Sequence, residues 1–140
     1  MTDVHTPEQR SRNMAAIRNK NTKPEIVLRR LLCGMGIRYR LHRSDLPGKP
    51  DIVMPGRKTA IFVHGCFFHM HNCRYGRVVP ATNAEFWHTK RSGNAARDNR
   101  NARRLRRIGW SVITVWECQT KEPERLRRNL LSRFPQLFTS

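Results

Sequence analysis

Acidic residues are scarce in this chain: 10 Asp and Glu stand against 28 Lys and Arg in 140 residues, a formal net charge of +18. A folded domain this basic needs a polyanionic partner to relieve its self-repulsion; nucleic acid is the usual one, and ribosomal or membrane-surface binding is the alternative. No apolar run of about 18 residues occurs, which excludes a membrane-spanning helix. Met1 to Arg10 is polar with no hydrophobic stretch behind it, which argues against a signal peptide and for a soluble, intracellular protein. Only Cys33, Cys66, Cys73 and Cys118 carry sulfhydryls, and in a reducing compartment these are thiols or metal ligands rather than disulfides. Internal repeats and low-complexity segments are absent. With 140 residues and 38% hydrophobic content, the chain can build one compact core but not two, so a single domain over 1–140 is expected.

Thr6-Pro7-Glu8-Gln9 reads as a capping box that opens a helix toward Arg18. Its only large apolar residues are Met14 and Ile17, so this arm over residues 1–20 is expected to dock late or to touch a partner. Thr22-Lys23-Pro24-Glu25 repeats the signature, and Val27, Leu28, Leu31, Leu32 and Met35 form a wide apolar stripe stopped by Gly34 and Gly36. Ile37, Tyr39 and Leu41 alternate with Arg38, Arg40 and His42 as in a half-buried strand. Two more strands are expected at Ile52 to Met54 and Ala60 to Val63, separated by Pro55-Gly56. After an irregular stretch from Gly65 to Val79, Thr82-Asn83-Ala84-Glu85 predicts a helix through Trp87, and a separate Arg-rich helix runs from about Asn94 to Gly109. Trp110 to Glu117 reads as a central parallel strand, apolar on both faces. Pro123 to Phe134 closes the chain as an amphipathic helix on Leu126, Leu130, Leu131 and Phe134. The pattern indicates an α/β domain, a mixed β-sheet flanked by helices.

Cys66, His71 and Cys73 fall within eight residues as C-x4-H-x-C, and Cys118 stands at the end of the later strand. If those strands are neighbours, their ends gather all four. Three thiolates with one imidazole is a preferred tetrahedral set for structural zinc, and a closed set leaves no position for substrate. The alternative is that Cys66 and Cys118 are buried as small apolar side chains while His64, His69 and His71 form one catalytic cluster.

Phosphodiester hydrolysis needs a charged oxygen ligand for a hard dication and a group that moves protons near neutral pH. Asp51 is the best candidate for the first, at the start of a strand after Gly48-Lys49-Pro50, where Pro50 is expected to keep the chain extended; a turn or strand-end cap is the structural alternative. Glu25 is accounted for by the capping box. His64 and His69 are each a proton donor or base, or a satisfied polar neighbour.

Pro50-Asp51, Thr59 to His64 and His64-Gly65-Cys66-Phe67-Phe68-His69-Met70-His71-Asn72-Cys73 together resemble the very short patch repair endonuclease family. The likeness extends from Arg10-Ser11-Arg12-Asn13-Met14 through Leu46-Pro47-Gly48, Pro80-Ala81-Thr82 and Glu85-Phe86-Trp87 to Val115-Trp116-Glu117-Cys118. It implies a fold similar to the type II restriction endonuclease core and a structural zinc on Cys66, His71, Cys73 and Cys118. It further implies catalytic magnesium on Asp51 and the backbone carbonyl of Val63, proton transfer by His69, and metal-bound water oriented by Glu25 and His64. The implied substrate is double-stranded DNA with a T:G mismatch left by deaminated 5-methylcytosine, nicked on one strand beside the thymine. The implied location is the prokaryotic cytoplasm, on the nucleoid. The single-domain size makes a monomer the default, and any partner repair proteins are left open.

The resemblance also matches Met14, Phe67, Phe68 and Trp87 to side chains pushed into the base stack, with Phe68 standing where tryptophan is expected. Core packing is the alternative for these rings. Lys90 and Asn94 match base-edge readers, although such residues near a helix start are more often phosphate contacts or caps. Two other functions fit parts of this pattern. A non-catalytic, zinc-stabilised DNA-binding module would not need Asp51 with His69, and a restriction-type nuclease on matched DNA would share every catalytic residue.

Overall fold

The computed structural model describes residues 22–133. Helix α1 (Lys23–Gly34) opens as expected: Thr22 is its N-cap, its hydroxyl accepts from the Glu25 N–H at 3.4 Å, and Pro24 occupies the first turn. Leu28 and Leu32 are completely buried, and Gly36, at φ +77°, turns the chain out of the helix.

The strand expected over Ile37–His42 shrinks to β1 (Arg40–Leu41). His42, at φ 49°, leaves extended geometry, so the alternation of side chains breaks there. Strand β2 (Ile52–Met54) and strand β3 (Thr59–His64) are joined by a 3-10 turn, Pro55–Arg57. β1 pairs antiparallel with β2, and β2 antiparallel with β3. β4 (Ser111–Trp116) lies parallel to β3, from Thr59 opposite Ser111 to His64 opposite Trp116. The sheet order is β1-β2-β3-β4. β4 is parallel as expected but stands at the end of the sheet, not the centre, and Ser111 and Thr114 are exposed.

The two helices expected over 82–109 are one, α2 (Ala84–Arg107), whose N-cap is Asn83 rather than Thr82. Gly93 sits inside it. A single glycine costs about 1 kcal/mol in a helix interior, too little to interrupt one of 24 residues. A short helix α3 (Glu117–Thr120) and helix α4 (Pro123–Arg133) follow. In α4, Leu126 and Leu130 are buried, whereas Leu131 is exposed. The expected arm over 1–20, with Met14, and Phe134 at the far end lie outside the described residues.

The alternation of side chains along the strands divides the core in two. On one face Ile52, Met54, Ile61, Ile113 and Val115 pack against Leu28 and Leu32 of α1 and Leu126 and Leu130 of α4. On the other, Val53, Ala60 and Phe62 pack with Leu46 and with Leu105 of α2. The described residues therefore form a mixed α/β fold with helices on both faces of a four-stranded sheet. Among the described residues no helix is long and apolar enough to cross a membrane.

Arg91 and Leu105 are the buried residues of α2, so one leucine supplies most of the apolar anchorage of that long, arginine-rich helix. Leu105→Ala is expected to destabilise the fold by about 3 kcal/mol through the lost side chain and the cavity left behind, measured by chemical denaturation. A loss below about 1 kcal/mol would mean that α2 is held by other contacts.

Candidate active site

The parallel pairing of β3 with β4 brings Cys66, two residues past the end of β3, to Cys118, two past the end of β4. The Cys118 N–H donates to Cys66 Sγ at 3.3 Å, and Cys118 Sγ lies 3.6 Å from His71 Nδ1. With Cys73, one ligand atom from each of the four residues falls within 4.8 Å of the others. A tetrahedral zinc with sulfur at about 2.3 Å and nitrogen at about 2.0 Å spaces its ligands about 3.5–3.8 Å apart, so the set fits such an ion. Burial pushes the Cys66 thiol up to about 12, which leaves it protonated unless a cation is present. At Cys73 burial acts the same way, but the amides of Gly76 and Tyr75 outweigh it and lower the thiol. The His71 ring stacks on Trp116, centroids 4.2 Å apart.

The loop that carries three of these ligands is pinned from below by Arg91. This residue is 6% exposed, and its guanidinium donates to the carbonyls of Phe67 at 2.5 Å, Val78 at 3.1 Å and Gly76. Its role could not be read from the sequence, where it is one of many arginines in a basic helix. Gly76 is equally constrained, since a Cβ there would lie 1.8 Å from the His71 carbonyl oxygen.

Asp51 stands at the start of β2, where its Oδ2 accepts the Val63 N–H at 2.7 Å. Lys49 adopts φ 50°, so the segment before Pro50 is a left-handed turn rather than the extended stretch expected. Beside Asp51 is Glu25, 1% exposed. Thr22 caps α1 as the sequence suggests, and the Glu25 side chain accepts from Arg29 and contacts His42 Nε2 at 3.0 and 3.2 Å. Burial raises the Asp51 carboxyl to about 6, opposed by the Val63 N–H and reinforced by Glu25.

His64 and His69 stack face to face, centroids 4.0 Å apart. Asp98 of α2 lies beside both rings: His69 Nδ1 is hydrogen-bonded to its Oδ2 at 2.5 Å, and His64 Nε2 lies 3.7 Å from its Oδ1, too far for a hydrogen bond. Burial, with His69 alongside, pushes His64 down to about 4 against the pull of Asp98, so His64 is neutral at pH 7. Neither Asp98 nor His42 was singled out by the sequence. Asp98 resembles any solvated acid in a charged helix, and His42 falls on the polar side of an apparent strand.

One cleft between the sheet and α2 is lined by His42, Asp51, His64, His69, His71 and Asp98 among others. At its mouth Phe67, Phe68 and Trp87 form a half-buried aromatic cluster, with Phe67 5.4 Å and Phe68 6.3 Å from Trp87. Phe86, 58% exposed, joins through Trp87. Lys90 extends over the Phe86 ring at 5.9 Å. Asn94 donates its side-chain amide to the Phe68 carbonyl at 3.0 Å, so it secures the loop in this state. Arg97, Arg100, Arg103 and Arg104 are exposed along α2.

A cationic exterior around a cleft of carboxylates and imidazoles belongs to the class of nucleases. The family model described as DNA mismatch endonuclease Vsr matches residues 2–75. "DNA mismatch endonuclease Vsr" of Escherichia coli K12 is 44% identical over 132 residues, covering 94% of this chain and 84% of that protein. "Type II nicking enzyme V.XorIIP" of Xanthomonas oryzae pv. oryzae is 48% identical over 122 residues, 87% and 89% of the two chains. "Type II nicking enzyme V.NmeAIP" of Neisseria meningitidis is 43% identical over 130 residues, 93% and 92%. The chain belongs to the Vsr DNA mismatch endonuclease family.

Because a methyl group at residue 76 collides with the backbone of a cluster ligand, Gly76→Ala is expected to lower stability by more than about 2 kcal/mol and to reduce the metal that copurifies with the protein. Thermal unfolding and elemental analysis check this. Unchanged metal content would separate the Gly76 turn from the four-residue cluster.

Proposed function

We propose that this protein nicks one strand of duplex DNA beside the thymine of a T:G mismatch, with catalytic magnesium on Asp51 and the Val63 carbonyl and structural zinc on Cys66, His71, Cys73 and Cys118. The observation that carries the reading is the placement of Asp51, a carboxylate next to Glu25 that lines the same cleft as the stacked His64–His69 pair. A pure DNA-binding module has no use for that arrangement. Helices on both faces of a mixed sheet with the carboxylate at a strand start support likeness to the type II restriction endonuclease core. Zinc is favoured by three sulfurs with one imidazole and serves to clamp the loop, since binding energy in such sites is folding energy.

When bound, magnesium would polarise the scissile phosphate and lower the pKa of attacking water. The chain's own groups do the rest. Asp98 holds His69 through Nδ1, which fixes the ring and leaves Nε2 as the proton-transfer atom. His64, neutral and buried, orients rather than ionises. The exposed arginines of α2 and Lys90 grip phosphates without regard to sequence, and that affinity falls steeply with salt. Phe67, Phe68 and Trp87, together with Met14, supply the selective step by entering the base stack, which costs on the order of a few kcal/mol per step and less at a mismatch. Asn94 and Lys90 meet the mispaired bases, the former by exchanging its contact with the Phe68 carbonyl.

With magnesium and labelled duplexes, the protein should nick T:G DNA and leave T:A DNA intact. Asp51→Asn should lower the rate at least about a thousandfold with DNA affinity preserved. Equal cutting of both duplexes would place the protein with restriction-type nucleases, and a fully active Asp51→Asn would move the metal elsewhere.

The raised Asp51 carboxyl sets a pH dependence. The metal takes the ionised form, so its affinity should be about tenfold lower at pH 5 than at pH 7, following the carboxyl at about 6. Without metal the sign reverses for stability. A carboxyl raised on folding favours the folded state below its unfolded value, and that contribution is lost as pH rises from about 4 to about 6. Titration calorimetry across pH checks the first and thermal unfolding with and without magnesium the second; a flat profile in both would contradict the burial of Asp51.

A further inference from the structure

Neither ring nitrogen of His64 is hydrogen-bonded to a described residue. Its Nδ1 is sealed from solvent without a partner, and its Nε2 lies 3.7 Å from the Asp98 carboxylate. The residue is only 8% exposed, so what sets the angle of the imidazole is contact with other rings. It stacks on His69 at 4.0 Å, lies 5.7 Å from Phe62 and meets Trp116 edge to face, centroids 5.3 Å apart and planes at 68°.

His69 belongs to the loop that follows β3, and Phe62 stands two residues earlier on β3 itself. Trp116 comes from another strand. It is the partner of His64 in the parallel pairing, so both side chains leave the same face of the sheet. Its indole also stacks on His71, with planes 14° from parallel, and His71 is one of the four cluster residues. The backbone beneath the indole is held as well, since the Trp116 N–H donates to Gln119 Oε1 at 2.8 Å. One rigid bicyclic ring therefore touches both a cluster ligand and the imidazole that no hydrogen bond anchors. Aromatic pairs attract in particular orientations, so the tilt of the indole governs the tilt of His64. Misplacing a reacting group by about 1 Å can cost about a hundredfold in rate.

We propose that Trp116 is a positioning residue for the cleavage reaction: its indole, stacked on His71, is the wall that orients His64, and it couples the Cys/His cluster to the cleft through one side chain. The inference rests on the orienting role given to His64 and adds the residue that enforces it.

The test uses full-length protein with its Cys/His metal retained, nicking T:G duplex with magnesium under single-turnover conditions. Trp116→Leu should lower the saturating rate at least about tenfold, while the half-saturating protein concentration changes less than about twofold and the Cys/His metal stays at the parent level. Trp116→Phe, which keeps an aromatic face, should recover to within about threefold of the parent. In nuclear magnetic resonance spectra the parent should show through-space coupling between the Trp116 indole and the His64 ring protons. Absence of that coupling overturns the proposal whether or not any variant folds. So does a folded, metal-loaded Trp116→Leu that cuts at the parent rate or loses only affinity, and so does a Trp116→Phe no faster than Trp116→Leu. His64→Ala separates the two layers. If it cuts at the parent rate, the role of His64 fails and this inference with it; if it is slow while Trp116→Leu is not, His64 stands and Trp116 falls.

Discussion

His64 lies opposite Trp116 in the parallel pairing of β3 with β4, and nearly every chemical group in the molecule is placed by that register. Two residues beyond each partner stand Cys66 and Cys118, so the pairing delivers two cluster ligands from segments 52 residues apart. Sliding β4 by one residue would send Ile113 and Val115 to the opposite face, out of the core they share with Ile61. Burial of those side chains therefore fixes the meeting of the cysteines. On the other side of β3, antiparallel β2 begins at Ile52, opposite Ile61, which leaves Asp51 beside the end of β3 where Val63 can donate to it.

The second constraint is charge. A chain with net charge +18 buries Glu25 almost completely and places Asp51 next to it, while most of its arginines remain in water. Surface arginines contribute little to stability and much to phosphate affinity. The buried carboxylates are held inside instead: Glu25 lies against Arg29 and His42, and Asp51 accepts the Val63 N–H. Arg91 belongs to neither group. Its guanidinium donates to three loop carbonyls, that of buried Gly76 among them, so one arginine of α2 ties down the loop that carries His69, His71 and the two phenylalanines.

The parts of this arrangement legible in the sequence are those with local causes. The Thr22 cap, the stripe of α1 and the apolar runs of β2 and β3 follow from spacing alone. Cys66, His71, Cys73 and Cys118 could be proposed as one set because ligand chemistry narrows the choices. Where neighbours decide, local reading fails. The stretches opened by Thr82 and by Asn94 looked like two helices but form one, and Ile37 to His42 looked like a strand but is ended by one left-handed residue. Asp98 and His42 have no signal in spacing. Each becomes chemically specific only when the fold sets it against a histidine or a carboxylate that is distant in sequence.

On the proposed reading the same loop carries the mismatch probe and the proton-transfer group, and this has a mechanical consequence. Phe67 and Phe68 precede His69, and Arg91 holds the Phe67 carbonyl while Asn94 holds that of Phe68. Rings anchored in this way cannot yield to a well-stacked base pair by folding back, so the DNA must deform instead, and a wobble pair deforms at lower cost. If Asn94 leaves the Phe68 carbonyl to meet a base, the loop loosens at the residue adjoining His69. Base recognition and alignment of the imidazole then share one hydrogen bond. Selectivity for a damaged pair would thereby be exerted on the rate of cutting, a step that the unselective charge of the surface cannot influence.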